Sequence, residues 1–200
     1  MVDRNEKKRI THDRIIAAAN RGFRRRGYGG IGVDGLAKDA GVTSGAFYVH
    51  FHSKQDAFRE SIRRGLADLN AGVLHFQSTH QANWWREFVI FYLSTKRTCD
   101  LSDSCALQSL PTEVARLDRK FHAEFEKGLR AVAATIAKGP PSPAAPSDEK
   151  SAYLSLAFLT GAVTMARAIA DDNLAASIAE GAMQQLLECK ETKATKSMRF

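Results

Sequence analysis

An all-α fold is predicted by three features of this 200-residue sequence. No stretch alternates Val, Ile or Thr with polar residues, as a half-buried strand would. Apolar residues recur at helical spacing along most of the chain. Four of the five prolines sit together in "GPPSPAAPS", residues 139–147, which leaves the rest almost free of helix breakers.

The elements follow in order. Thr11 is suited to cap a first helix, with Ile15, Ile16, Ala19 and Phe23 on one face and Arg24, Arg25 and Arg26 in its last turn. Gly27 supplies the C-terminal turn. A short second helix covers Val33–Ala40, Gly41 breaks it, and a third runs from Ser44 to His50. Ser53 caps a longer helix, with Asp56 in its first turn, that reaches Phe76. Residues 84–97 form another helix, and an apolar piece follows at Leu101–Leu110. A single amphipathic helix is expected from Thr112 to Lys138, with Val114, Leu117, Phe121, Phe125 and Leu129 on one face. After the proline-rich loop come two helices, 148–170 and 174–191, and a polar tail, "TKATKSMRF".

Charge divides the chain. The net charge is +7. Residues 1–65 hold 14 Lys and Arg against 7 Asp and Glu, whereas residues 66–200 hold 15 of each. A basic module joined to a neutral one fits a polyanion partner for the first third. No apolar run reaches the ~18 residues of a membrane span. The best stretch, Tyr153–Ala170, contains Ser155, Thr160, Thr164 and Arg167. The start, "MVDRNEKKRI", has no apolar segment after its charges, so no secretory signal is expected. Cys99, Cys105 and Cys189 cannot all pair with one another and read as reduced thiols of a cytoplasmic protein.

Residues 33–51 fit a helix-turn-helix. Ala37 is small where the two helices meet, and Gly41 suits the turn. Leu36, Ala40, Val42 and Phe47 point inward. Thr43, Ser44, Gly45, Ala46, Tyr48 and His50 remain on the outside, and so slim a face fits a DNA major groove. Lys54 stands at the next helix start, where backbone N–H groups attract phosphate. The sequence "Gly27-Tyr28 … Leu36-Ala37 … Ala40-Gly41-Val42 … Phe47-Tyr48 … His50-Phe51 … Ser53-Lys54" closely resembles the DNA-binding signature of the TetR family of bacterial transcriptional regulators, over about residues 10–60.

That resemblance implies an all-α homodimer. An N-terminal three-helix helix-turn-helix DNA-binding domain (1–53) would join a larger C-terminal helical ligand-binding and dimerisation domain (54–200). It also implies a repressor on a palindromic double-stranded operator, released by a small-molecule effector. Thr43, Ser44, Gly45 and Ala46 would face base edges and nearby phosphates. Tyr48, His50 and Lys54 would contact phosphate. Ile31-Gly32 stands where the family usually opens its second helix with hydroxyl residues, which weakens the case for contacts by Gly32 and Val33. Arg4, Lys7, Lys8 and Arg9 read either as a flexible arm for the DNA backbone or as a solvated tail.

Other chemistry finds little support. His50 and His52 would point to different faces of one helix, and Cys99 and Cys105 lack neighbours that complete a metal site. No H-E-x-x-H, phosphate loop or G-x-S-x-G occurs, so neither an enzyme nor a resident cofactor is expected. In the second part, Trp84, Trp85, Phe88, Phe91, Tyr92, Phe121, Phe125, Tyr153 and Phe158 read as core, or collectively as the wall of a pocket for an apolar or aromatic effector. Cys105 joins that candidate pocket. "Asp103-Ser104-Cys105-Ala106-Leu107 … Glu113-Val114-Ala115" is similar to a TetR subgroup segment in which some members sense electrophiles through cysteine, which sets a redox or electrophile sensor beside a buried inert thiol. Arg167 reads as a partner for a ligand anion or for a carboxylate across a dimer interface. The face Ala157, Gly161, Ala162, Met165, Ala168, Ile169, Ile178, Ala182 and Leu186 fits a dimer through the last two helices or packing within the chain. A basic, sequence-indifferent DNA packer is the remaining alternative.

Overall fold

A computed structural model describes residues 3–188. Cys189, the end of the helix predicted to reach Glu191 and the polar tail lie outside those residues. Among the described residues there are ten α-helices, two short 3₁₀ turns and no strand. The helices are α1 (Arg4–Arg26), α2 (Val33–Asp39), α3 (Ser44–His50), α4 (Lys54–His80), α5 (Trp84–Thr98), α6 (Ala106–Ser109), α7 (Pro111–Val114), α8 (Arg119–Ala137), α9 (Glu149–Arg167) and α10 (Asp172–Leu187). The chain divides into two compact units. The first takes the chain up to Asn70 together with Cys99–Val132; the second takes Ala71–Thr98 and the chain from Ala133 onward.

In the first unit, α1 presents Ile15, Ile16, Ala18, Ala19, Gly22 and Phe23 inward. Gly22 is needed for packing, because a Cβ there would stand 2.9 Å from Ile31 Cδ1 and 3.2 Å from Leu36 Cδ2. Phe23 meets Phe58 of α4 edge-on at 4.9 Å, and Phe58 meets Phe121 of α8 at 5.8 Å. Close approach is built in twice along α4. A Cβ on Gly65 would collide with Ala106 Cβ, and a Cβ on Gly128 of α8 would lie 2.6 Å from Leu66 Cδ1. Arg63 of α4 ties this side by bonding Glu60 of its own helix and Glu124 of α8. Glu113, on α7, accepts the Tyr28 backbone N–H at 3.1 Å.

In the second unit, α5, α9 and α10 pack on one another. Trp84 and Trp85 are fully buried, and both are anchored through their ring N–H groups. Trp84 Nε1 donates to the Pro140 carbonyl at 2.9 Å, and Trp85 Nε1 to the Leu186 carbonyl at 3.4 Å. The first of these pins the proline-rich loop. Asp148 opens α9 in a capping box with Ser151, and Asp171 opens α10 by accepting from the N–H groups of Asn173 and Leu174.

Three expected boundaries are corrected. The first helix starts at Arg4, with Asp3 at its N-cap, not at Thr11. Thr11 lies inside it and donates its hydroxyl back to the Lys7 carbonyl, which a helix interior permits. Residues 4–10 are therefore helical and form no flexible arm. The helix expected over 112–138 is two helices. Arg116 and Leu117 N–H groups make i→i−3 bonds to Glu113 and Val114, tightening the chain, and α8 starts only after Asp118. The face predicted across Val114, Leu117, Phe121, Phe125 and Leu129 is thereby split. The helix expected over 148–170 ends at Arg167, because Asp171 caps the next helix.

The two α4 glycines yield opposite expectations. Gly72→Ala has open space and gains helix propensity, so it should raise stability by about 0.5–1 kcal/mol. Gly65→Ala meets Ala106 and should lower stability by about 1–3 kcal/mol. Urea denaturation of both variants checks the sign of each change.

Candidate nucleic-acid interface

The turn between α2 and α3 is set by Gly41, whose φ of +65° is left-handed. Its N–H bonds the Lys38 carbonyl at 3.0 Å, and the Val42 N–H bonds the Ala37 carbonyl at 2.9 Å, which closes α2 in a Schellman motif. Arg14 reaches across from α1 and donates to the Ala40 carbonyl at 2.8 Å and the Gly41 carbonyl at 3.2 Å. A Cβ at Gly41 would lie 2.7 Å from the same guanidinium, so position 41 is closed to a side chain on two counts.

The third helix is started by Thr43, whose hydroxyl accepts the Ala46 N–H at 3.1 Å. Phe47 is its buried anchor and touches Phe51 at 5.5 Å between ring centroids. The opposite side is open. Thr43 and Gly45 are exposed, Tyr48 is 53% exposed and Val49 67% exposed, while Ser44, Ala46 and His50 are half-exposed. A Cβ on Gly45 would meet nothing closer than Thr43 Oγ1 at 3.8 Å. The surface is a flat, narrow strip with one phenol standing out of it.

Two expected contact residues are partly committed within the fold. Ser44 donates its hydroxyl to Asp34 Oδ1 of α2 at 2.5 Å, and Thr43 uses an oxygen lone pair as a cap. Thr43 keeps its O–H for an outside acceptor. At the start of α2, Gly32 is the N-cap and offers no side-chain bond, and Val33 follows half-exposed. Ile31 is buried against the Gly22 position, which explains why an apolar residue occupies a place suited to a hydroxyl. Ser53 caps α4 by accepting the Asp56 N–H at 3.1 Å. Lys54 begins that helix with its ammonium 4.3 Å from the centroid of the Tyr28 ring. Burial, against a bond from Gln55 and with help from Asp118, raises the Tyr28 phenol, so the ring beneath Lys54 stays neutral.

His50 closes α3 beside the first turns of α1. Its ring lies 5.9 Å from that of His12, which stacks on Phe51 at 4.9 Å. Burial, then His12 and Lys8, hold the His50 imidazole below its ordinary range. Arg14, Asp34, His12 and Lys8 had no sequence signal linking them to this surface. Each lies 10 or more residues from the group it meets, and only the folding of α1 and α2 against α3 brings them there.

The candidate effector residues divide between the units. Trp85, Phe88 and Tyr92 form a buried ladder in the second, at 5.8 and 5.9 Å between successive rings. Cys105 and Phe121 are buried in the first unit and Phe125 is half-buried there. Phe158 is 44% exposed and lines an open groove of about 610 Å³ in the second unit, with Pro146, Asp148, Ser151, Leu154 and Leu186. Arg167 donates to the Lys96 carbonyl at 2.6 Å, near the end of α5, where a cation suits the helix dipole. Among the described residues, no cluster of His, Cys, Asp and Glu is disposed to hold a metal ion, and no helix is long and apolar enough to cross a membrane.

Comparison with known proteins bears on this geometry directly. The pattern described as "Bacterial regulatory proteins, tetR family" matches residues 15–60, the segment holding most of α1, all of α2 and α3 and the start of α4. The HTH-type transcriptional repressor NemR of Escherichia coli (strain K12) is 24% identical over 131 residues, which is 64% of this chain and 66%, just under two thirds, of the repressor. A crystal structure of reduced E. coli NemR matches with a TM-score of 0.69 at 21% identity, covering 88% of this chain and 95% of that one. A TetR-family regulator from Agrobacterium tumefaciens matches with a TM-score of 0.72 at 16% identity, covering 90% and 100%. The helix succession is thus shared along nearly the whole chain, and over residues 15–60 the sequence pattern of the tetR-family bacterial regulatory proteins coincides with the Gly41 turn and the exposed third helix.

Proposed function

We propose that the protein is a sequence-specific DNA-binding transcriptional regulator, a homodimeric repressor in the cytoplasm that leaves a palindromic operator when a small apolar or aromatic effector binds. The observation that carries the DNA reading is the form of α3. One ring, Phe47, anchors it, while Gly45, Tyr48 and Val49 are exposed, and a Cβ at Gly45 would meet nothing closer than Thr43 Oγ1. A strip of this width enters a major groove, and the phenol, His50 and Lys54 are suited to the flanking phosphates. Residues 1–53 act as the DNA-binding part and residues 54–200 as the sensing and dimerising part.

Dimerisation through α9 and α10 is supported by their outer faces. Leu154, Phe158 and Met165 are exposed along α9, Met165 at 60%, and Leu174 is exposed on α10. Gly161 and Gly181 have open space where a Cβ would point, so a second pair of helices can approach closely there. Two recognition helices per assembly also give the affinity that one short helix lacks. A ligand held against α4 would tilt that helix and change the spacing of the recognition helices, which must match a turn of DNA, ~34–36 Å.

A cysteine-based sensor using Cys105 is the second reading. Its favouring observation is position: Cys105 is the N-cap residue of α6 and directly precedes Ala106, the residue against which Gly65 of α4 is fitted. An adduct there would press on the packing of α4. The thiol is only 8% exposed, and an attack on it needs local opening.

Selection of bound sequences from a random DNA pool tests the main reading, and a palindrome is expected. Recovery of no preferred sequence, with equal binding to bulk DNA at fixed salt, would leave the sequence-indifferent packer instead. Gly45→Leu should lose at least tenfold in affinity for the selected duplex with an unchanged melting temperature, since its side chain meets only the groove. Met165→Glu should yield monomers in sedimentation and weaken the same complex. Peptide mass spectrometry after mild quinone or peroxide treatment should find an adduct at Cys105 if the sensor reading holds; an unmodified Cys105 ends it.

A further inference from the structure

Tyr28 follows the left-handed Gly27 turn and meets three helices. Its ring lies 6.1 Å from that of Phe23 on α1 and 4.9 Å from that of Phe58 on α4. The Lys54 ammonium stands 4.3 Å from the centroid of the same ring. Lys54 and Phe58 are one turn apart on α4, so both reach Tyr28 from one side of that helix. A ring fixed between two others thus serves as a rest for a long, flexible cation.

The backbone of Tyr28 is held as well, by a residue 85 positions away: its N–H donates to Glu113 Oε2 of α7 at 3.1 Å. Gly27 lets that carboxylate come near, because a Cβ there would lie 3.1 Å from Glu113 Oε1, and its φ of +72° also favours glycine. Gln55 bonds the Tyr28 hydroxyl and accepts from Lys120 of α8 at 2.8 Å. Tyr28, Lys54, Glu113 and Lys120 all belong to the first compact unit. The first turn of α4 is therefore fastened to α7 and α8 through one tyrosine.

Resting on the DNA-binding reading above, we propose that Tyr28 is a positioning residue for Lys54, and that Glu113 sets operator affinity through it. A lysine is a point charge on a flexible four-carbon stem, and it loses much of its freedom on meeting a phosphate. The Tyr28 ring takes part of that loss in the free protein, so less remains to be lost on binding. The ring face attracts the ammonium from one side and leaves other N–H donors for the phosphate. Glu113 touches no DNA in this scheme. It keeps the chain at Tyr28 in place, and a displacement of α7 moves the ring and releases the lysine. This route reaches Lys54 without a tilt of α4 as a whole.

The test uses the full-length protein and the duplex recovered by selection from a random pool. Affinity is measured by fluorescence anisotropy over a range of salt for Tyr28→Leu, Lys54→Ala and the double variant. Tyr28→Leu should lower affinity about two- to fivefold per half-site with an unchanged dependence on log salt, because the phosphate contact survives. Lys54→Ala should reduce that dependence by about 0.9 for each lysine lost. In the double variant the Tyr28 effect should vanish, since no ammonium is left to position. Tyr28→Phe keeps the ring face and Glu113→Gln keeps the acceptor, so both should bind as the parent does, whereas Glu113→Ala should bind like Tyr28→Leu. Lysine side-chain resonances of the free protein give a readout that needs no change at Tyr28. The Lys54 ε-methylene should be shifted upfield by the ring in the parent and in Glu113→Gln, and less so in Glu113→Ala. An unshifted Lys54 in the parent, or Tyr28 and Lys54 effects that add in full, overturns the positioning role and leaves the DNA reading intact. Parent-like binding by Glu113→Ala overturns the link to α7. If no duplex is recovered and none binds at any salt, the DNA reading itself fails, and the positioning role with it.

Discussion

The left-handed turn at Gly41 and the hold of Arg14 on it are the constraint from which the candidate interface follows. Two short helices of seven residues each cannot sustain their own geometry in water. What fixes them is the Schellman closure of α2, the cap from Thr43 and a guanidinium from α1 on the carbonyls of Ala40 and Gly41. Bonds from a charged donor contribute on the order of 1.5–3 kcal/mol. That is enough to matter in a domain whose whole stability is only about 5–15 kcal/mol. The orientation of α3 therefore depends on a residue 26 positions away from the turn. Ile31 and Gly22 complete the attachment by letting α2 sit close to α1.

Most of the fold was legible because it rests on local rules. The Gly27 and Gly41 turns, the cap at Ser53 and the proline-rich loop each follow from a residue type and its immediate neighbours. The failures were of one kind. Thr11 has the chemistry of a cap but lies where the preceding residues already make good helix, with Glu6 in the first turn and paired to Arg9. The break after Val114 leaves no proline or glycine in the sequence: residues 115–118 read as helix. At the candidate site, the outward strip of α3 was readable from its own small residues. Ser44's bond to Asp34, the Arg14 hold and the His12–His50 contact were not, because each joins separate elements.

Charge gains meaning when the pairs are assigned. In the first 65 residues Glu6, Asp39, Asp56 and Glu60 each have an arginine partner, and Asp34 takes the Ser44 hydroxyl. Such exposed pairs contribute roughly 0–1 kcal/mol each to stability. Their larger effect is to offset the charges of Glu6, Asp39, Asp56 and Glu60 locally. Lys8, Arg21, Arg25 and Lys38 have no carboxylate within ion-pair distance among the described residues. The surplus seen in the composition is thus a set of particular solvent-facing cations on α1 and α2, available to a polyanion without first breaking an internal pair.

The outer face of α9 poses the opposite problem. One stripe of this helix, Ala152, Leu156, Leu159, Val163 and Ala166, is buried within its own unit. A second stripe carries Leu154, Phe158 and Met165 at spacings of four and seven, and all three are exposed. A helix apolar on both sides is stable in water only when both sides are covered. Packing inside the chain covers the first stripe, through α5 and α10. The second has Gly161 at its centre, where a side chain would fill space that the isolated chain leaves open. In the dimer proposed above, the open space at Gly161 would let a second copy of α9 approach closely and cover Leu154, Phe158 and Met165.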